Sequence, residues 1–265
     1  MGIYMDEKTS TNGVRINKYL SEAGVCSRRE ADRMVEQGRV CIDGVVAVSG
    51  AKVFEGQDVT FDGKNVRKEE EEIYLAFYKP KGIVCTTATE ENGEKIKNVV
   101  EYINYDKRIY PVGRLDQASE GLLLMTNQGE LANEIMHAGN FHEKEYLVTV
   151  DQPFNAAFLK KMREGVELKE LGVTTRPCKV EAAGVKTFRI ILTQGLNRQI
   201  RRMCAELGYR VVTLKRVRIM NIHLGKLNTG DFRRATPKEL EELEWQLEQA
   251  RLEREEAELL AGQDE

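Results

Sequence analysis

Residues 64–72 read KNVRKEEEE, and this run limits the possible folds more than any other stretch of the chain. Seven charges and an asparagine stand beside one valine. Such a segment has too little apolar surface to offset the entropy lost on ordering, so it separates domains rather than building one. It reads as a flexible, charged linker. The 265 residues are therefore expected to fold as two unequal units, 13–63 and 73–237. A disordered stretch, 1–12, precedes the first, and an acidic helix or tail, 238–265, follows the second.

An apolar content of 41% supports a real core, and 31% charged residues argue for a soluble protein. No apolar run approaches the roughly 20 residues that span a bilayer, and the N-terminus lacks a signal core. A cytoplasmic protein with no membrane partner is expected. Cys26, Cys41, Cys85, Cys178 and Cys204 include no CxxC pair and read as reduced thiols. His137, His142 and His223 lack ligand spacing, so no metal is expected. The net charge of −3 conceals a division: residues 238–265 hold eleven acidic and three basic residues, and the remainder 32 acidic and 37 basic. A mildly basic body with an acidic tail suggests a nucleic-acid partner for the body.

In the first unit, Ile16, Tyr19, Leu20 and Ala23 recur at helical spacing, with Gly24 able to end that helix. Ser27 and Glu30 have capping-box spacing, and a second helix would bury Ala31, Met34 and Val35 before Gly38. Residues 40–42 and 45–46 flank Asp43-Gly44, a hairpin signal. In the second unit, strands are expected at 73–77, 109–112, 122–126, 145–150, 187–193 and 210–219, and helices at 129–137, 155–164 and 198–207. They do not alternate strictly. The fold class is therefore α+β, with a mostly antiparallel mixed sheet flanked by helices. Leu240, Leu243, Leu247 and Ala250 begin an amphipathic helix whose pattern fails at Arg254, so the tail reads as a docked helix fraying into an acidic end. A partner-binding coiled coil is the alternative.

Residues 113–127 read GRLDQASEGLLLMTN. They place one carboxylate, Asp116, on a tight loop between two strand-like segments, a common way of presenting a catalytic group. Residues 194–203 read QGLNRQIRRM. There Ile200, Met203, Cys204 and Leu207 form an apolar stripe, and Arg198, Arg201 and Arg202 fall beside it. Residues 194–218 carry seven basic residues and one acidic.

These motifs together resemble the pseudouridine synthases. Residues 113–127 resemble that family's catalytic loop, in which an Arg-Leu-Asp run supplies the essential aspartate. Residues 79–82, KPKG, resemble the Lys-Pro-x-Gly segment opening the synthase domain of the bacterial ribosomal branch, where a rigid turn is the expected role. Residues 198–202 resemble its His-Gln-Ile-Arg-Arg signature, with Arg198 in place of the histidine. Residues 13–63 resemble the S-four-type RNA-binding module, on Arg15 to Leu20, Ser27 to Ala31, Gly38-Arg39-Val40 and Asp43-Gly44.

The resemblance implies Asp116 as the catalytic group, Tyr146 as the ring packing against the target base, and Arg201 as the cation paired with Asp116. It implies RNA contacts from Arg15, Lys18, Arg28, Arg29 and Arg33 of the module. In the second unit it implies such contacts from Arg114, Arg198, Arg202, Arg216 and Arg218, with Lys215 beside them. The implied activity is isomerisation of a specific uridine to pseudouridine in 23S ribosomal RNA, free or in an assembling large subunit, without cofactor or metal; a monomer is the default expectation. A transfer-RNA-directed synthase and a non-catalytic RNA-binding protein are the alternatives.

Overall fold

A computed structural model describes residues 13–67, 71–91, 93–137 and 141–261. The stretch 1–12 and linker residues 68–70 lie outside the described residues, as do 262–265. The chain divides into two compact units between Glu72 and Ile73.

In the first unit, β1 (Val14–Arg15) leads into α1 (Ile16–Glu22), and α2 (Arg28–Glu36) follows. The Ser27 hydroxyl accepts the Glu30 N–H at 3.3 Å, capping α2 as the spacing predicts. Gly38, at φ +70°, turns the chain out of α2. Then come β2 (Val40–Ile42), β3 (Val45–Val46), β4 (Lys52–Val53), β5 (Val59–Phe61) and β6 (Lys64–Val66). Asp43 and Gly44 both have positive φ, as a two-residue hairpin turn requires. The sheet order is β3-β2-β5-β6, and β1 pairs with β4. Ile16, Leu20, Ala31, Val35, Val40 and Val59 form its core.

One expectation fails here: Lys64–Val66 is a strand, not linker. Asp62 and Gly63, both at positive φ, fold the chain back so that Val66 lies opposite Val59. Backbone pairing holds this strand, with Val66 the one side chain packed on the core, and a single apolar residue sets no pattern to reveal it.

The second unit contains β7 (Tyr74–Lys79), β8 (Glu90–Glu91), β9 (Glu94–Lys95), α3 (Val99–Ile103), β10 (Tyr110–Val112), β11 (Glu120–Thr126) and α4 (Gly129–Met136). It continues through β12 (Lys144–Val150), α5 (Ala156–Glu164), β13 (Glu167–Leu168), β14 (Val173–Thr174), β15 (Lys179–Ala182) and β16 (Thr187–Leu192). It ends with α6 (Gln199–Glu206), β17 (Val211–Ile219), β18 (Ile222–His223), β19 (Phe232–Arg234) and α7 (Pro237–Ala261). The main sheet runs β15-β16-β12-β17-β11-β7-β19, with β10 on β11 and β18 on β17. Its pairs are antiparallel except β11 with β17, which is parallel. The expected α+β class and mixed sheet are what the chain adopts.

Alternation along β7 and β11 sends side chains to two faces. On one, Leu75, Phe77, Leu123 and Met125 pack with Val99 and Ile103 of α3. Further along the sheet, Phe188 and Ile190 pack with α5 and with Ile200, Met203 and Cys204 of α6. On the other face, Ala76, Leu122 and Leu124 pack beneath Ile135 of α4 and Leu243 and Leu247 of α7. Helix α7 starts with a reciprocal box: Thr236 Oγ1 accepts the Glu239 N–H at 3.2 Å, and the Glu239 carboxylate accepts the Thr236 N–H at 2.8 Å. It continues to Ala261, past Arg254 where the apolar pattern fails, with Leu259 and Leu260 exposed. Among the described residues no helix is long and apolar enough to cross a membrane.

Candidate active site

The apolar runs on either side of Asp116 become β10 and β11, and their antiparallel pairing (Val112 opposite Leu124) brings both ends of the intervening loop together. Main-chain bonds tie that loop down. The Ser119 N–H donates to Asp116 O at 3.0 Å, closing the turn that carries the carboxylate. The Leu115 N–H donates to Cys85 Sγ at 3.3 Å. Gly82 N–H donates to Gln117 O at 2.8 Å, and Gln117 Nε2 returns a bond to Gly82 O at 3.2 Å.

Lys79 does more than the turn role expected of KPKG. It is fully buried, and its Nζ donates to Ser119 O at 2.9 Å and to Pro80 O at 2.8 Å. Burial lowers its pKa most; Cys85, Asp116 and Glu120 oppose that, and Arg216 adds to it. The ammonium thus ties the end of β7 to the far side of the Asp116 loop. The motif marked this residue, but a lysine beside proline on the sequence alone reads as exposed.

Gly121 explains why the loop must enter β11 through glycine. Its φ is +111°, and a Cβ there would lie 2.2 Å from Arg216 O and 2.6 Å from Arg216 N. The parallel contact of β11 with β17, Gly121 opposite Arg216, is therefore closer than any side chain allows. In register across the sheet lie Lys79, Gly121, Arg216, Tyr146 and Ile190.

Over the loop stands α6. Arg201 Nε lies 3.6 Å from Asp116 Oδ2, and Arg201 Nη2 donates to Ala118 O at 3.2 Å and Ser119 Oγ at 3.1 Å. At 3.6 Å the contact is an ion pair rather than a hydrogen bond, and the buried Nε–H has no acceptor within hydrogen-bonding reach among the described residues. Burial pulls the Arg201 pKa down and Asp116 draws it back up; guanidinium remains charged at neutral pH regardless. Arg198, the N-cap of α6, sits at φ 52°, and its half-exposed guanidinium lies 4.0 Å from the same Oδ2. The carboxylate thus faces two cations, one anchored and one at the rim.

Tyr146 is half-buried on β12 and packs against two clusters, one of which contains Leu115 and Cys85 beside the loop. The structure thus gathers Asp116, Arg201 and Arg198 within ion-pair range and sets Tyr146 against the loop's hydrophobic underside.

The expected RNA-contact residues divide. Arg15, Arg28, Arg29 and Arg33 of the first unit and Arg114 of the second are exposed, while Lys18 pairs with Glu22 at 3.5 Å. Arg202 is drawn into an ion pair with Glu170 and donates to Asn197 O at 3.0 Å. Arg218 is clamped between Glu145 (2.7 Å) and Glu143 (2.9 Å) and is mostly buried. Arg216 does not fit an RNA-backbone role: it is 3% exposed, and its donors are turned to main-chain carbonyls. A basic count over 194–218 could not separate arginines that build the sheet from arginines that face outward. Lys215 lies over the Tyr78 ring at 4.6 Å.

A family model described as RNA pseudouridylate synthase matches residues 73–206, and an S4 domain model matches residues 14–59. The dual-specificity RNA pseudouridine synthase RluF of Escherichia coli (strain K12) is 49% identical over 234 residues, which is 88% of this chain and 79% of that one. Ribosomal large subunit pseudouridine synthase B of Bacillus subtilis (strain 168) is 35% identical, over 86% of this chain and 95% of that one. A crystal structure of a pseudouridylate synthase aligns with a TM-score of 0.63 at 28% identity, covering 87% of this chain and 99% of that one.

Proposed function

The chain belongs to the RNA pseudouridylate synthase family, and from that premise we propose that it converts a specific uridine of 23S ribosomal RNA to pseudouridine, with Asp116 as the catalytic group. The observation that carries the assignment is the Asp116 loop itself: one carboxylate, fastened by Lys79 and Gly82 and facing Arg201 and Arg198. A carboxylate so placed can attack the ribose or take a proton from it. Either route breaks the glycosidic bond, after which the base turns and rejoins through carbon.

A uridine must leave its stack to reach such a group, at a cost of a few kcal/mol. Tyr146 offers an aromatic surface for the extruded base, and stacking of this kind contributes roughly 1–3 kcal/mol. Arg15 of β1 and Arg28, Arg29 and Arg33 of α2, with Arg114 and Arg198, are the phosphate contacts in this reading. Arg202 and Arg218 would contribute through the site's architecture. A cytoplasmic location and a monomer acting on free RNA or an assembling subunit complete the proposal.

Transfer RNA remains the alternative target and is assayed beside ribosomal RNA, since the Escherichia coli relative is named a dual-specificity RNA pseudouridine synthase. Purified protein is incubated with ribosomal RNA from a strain lacking the gene and, in parallel, with unmodified transfer RNA, and pseudouridine is mapped in each. One modified uridine in 23S RNA is the expected result. Modification of transfer RNA alone would replace the target, and RNA binding without modification of either would overturn the catalytic reading.

A further inference from the structure

Arg216 occupies the middle of β17, and its guanidinium is enclosed. Burying such a group is costly unless its donors find acceptors. Its two bonded nitrogens both reach the main chain around Asp116: Nε donates to Leu122 O at 2.7 Å, and Nη1 to Arg114 O at 3.4 Å. Those carbonyls stand on opposite sides of the catalytic loop, one before Asp116 and one after it. The neighbouring arginine on the same strand behaves differently, since Arg218 gives Nη2 and Nε to the carboxylates of Glu143 and Glu145 and only Nη1 to a carbonyl, that of Met220 on its own strand end.

Two further observations tie Arg216 to the same loop. Its own carbonyl and amide are what a side chain at Gly121 would strike, so its backbone sets the spot where the loop enters β11. Directly across on β12 is Tyr146. Arg216 Nη2 is buried with no acceptor among the described residues. An apolar residue would fill this place without that penalty.

We propose that Arg216 is a positioning residue for the isomerisation: it joins both ends of the Asp116 loop to the strand row that holds Tyr146, fixing carboxylate and base platform relative to one another. This rests on Asp116 performing the chemistry. Arg216 touches neither phosphate nor base; it acts by holding the loop.

The test uses the full-length protein carrying Arg216→Met or Arg216→Lys, with single-turnover isomerisation, RNA affinity across a salt series, and thermal unfolding measured for each. With Met, the rate constant is expected to fall about 100-fold, the usual consequence of misplacing a reacting group by about 1 Å. Affinity should stay within about two-fold and the salt slope should not change, because no phosphate contact is lost. Lys, which keeps a donor and the charge, should recover part of the rate. An unchanged rate with Met would overturn the proposal. So would a salt slope lower by roughly 0.7–0.9, the mark of one lost phosphate contact. Failure of both variants to fold would overturn it too, making Arg216 a determinant of the fold instead. If wild-type protein bound RNA but isomerised nothing, the functional reading would fall first, and the inference with it.

Discussion

Replacing Gly121 with alanine perturbs the Asp116 loop by one methyl group. The new Cβ would meet Arg216 O at 2.2 Å and Arg216 N at 2.6 Å, and both atoms are backbone. Ordinary carbon–oxygen contacts begin near 3.3 Å, so one strand must move by about 1 Å. At φ +111° alanine also adds strain of order 1–3 kcal/mol. The parallel pairing of β11 with β17 spans Glu120 opposite Lys215 and Gly121 opposite Arg216, and the buried Arg216 Nε–Leu122 O bond at 2.7 Å crosses the same seam, so the shift strains both. A destabilisation of about 2–4 kcal/mol follows, equivalent to a Tm about 5–15 °C lower for a unit of this size. Asp116 lies five residues upstream, and a displacement of about 1 Å there costs roughly 100-fold in rate. The assay is single-turnover pseudouridine formation at a temperature where circular dichroism shows the variant folded. Wild-type rate and Tm in Gly121→Ala would refute the close approach and the rigidity argued from it.

Other expectations are equally specific. Arg201→Met removes a cation 3.6 Å from Asp116 Oδ2. At an effective dielectric of about 20 that interaction approaches 5 kcal/mol, and partial exposure of Asp116 reduces it to about 1–3 kcal/mol, so the single-turnover rate should fall about 10- to 100-fold. RNA affinity should change less, and a loss confined to affinity would contradict the pairing. Glu239 is held at a pKa of about 2, chiefly by the Arg233 guanidinium. A depressed carboxylate pKa contributes stability that is complete above the unfolded value near 4.5 and lost as pH falls toward 2, by up to about 3 kcal/mol. Glu239→Gln should flatten that part of the stability–pH curve, measured by urea denaturation, and an unaltered curve would rule out the contribution. Arg29→Ala should weaken RNA binding and its salt dependence while sparing turnover on a saturating short substrate. Equal affinity at every salt concentration would remove Arg29 from the RNA surface.

Much of this architecture was legible in the sequence, for identifiable reasons. The helices at 129–137, 155–164 and 198–207 emerge within a residue of α4, α5 and α6, because each carries one apolar stripe buried against the sheet. Asp116 and Arg201 were marked by their motifs, and the fold brings them to ion-pair distance across 85 positions of sequence. Features resting on backbone geometry were not legible. Lys64–Val66 pairs through its main chain with only Val66 packed on the core to announce it, and Gly121 matters for an absent atom. The roles of Lys79 and Arg216 were hidden for a related reason. A charged residue in a basic stretch reads as solvated, and only tertiary structure shows that its acceptors are carbonyls of a loop elsewhere in the chain.

The most direct test of the central claim is the yield of pseudouridine formed by Asp116→Asn, a change that keeps size but removes the anion and turns one acceptor oxygen into a donor. Purified variant and wild type are given the same 23S RNA from a strain lacking the gene, in excess over RNA and for the same time. The wild type should modify its uridine to completion and the variant leave it unmodified while binding the RNA as tightly. A variant that restores pseudouridine at the wild-type position would contradict the assignment of the chemistry to Asp116.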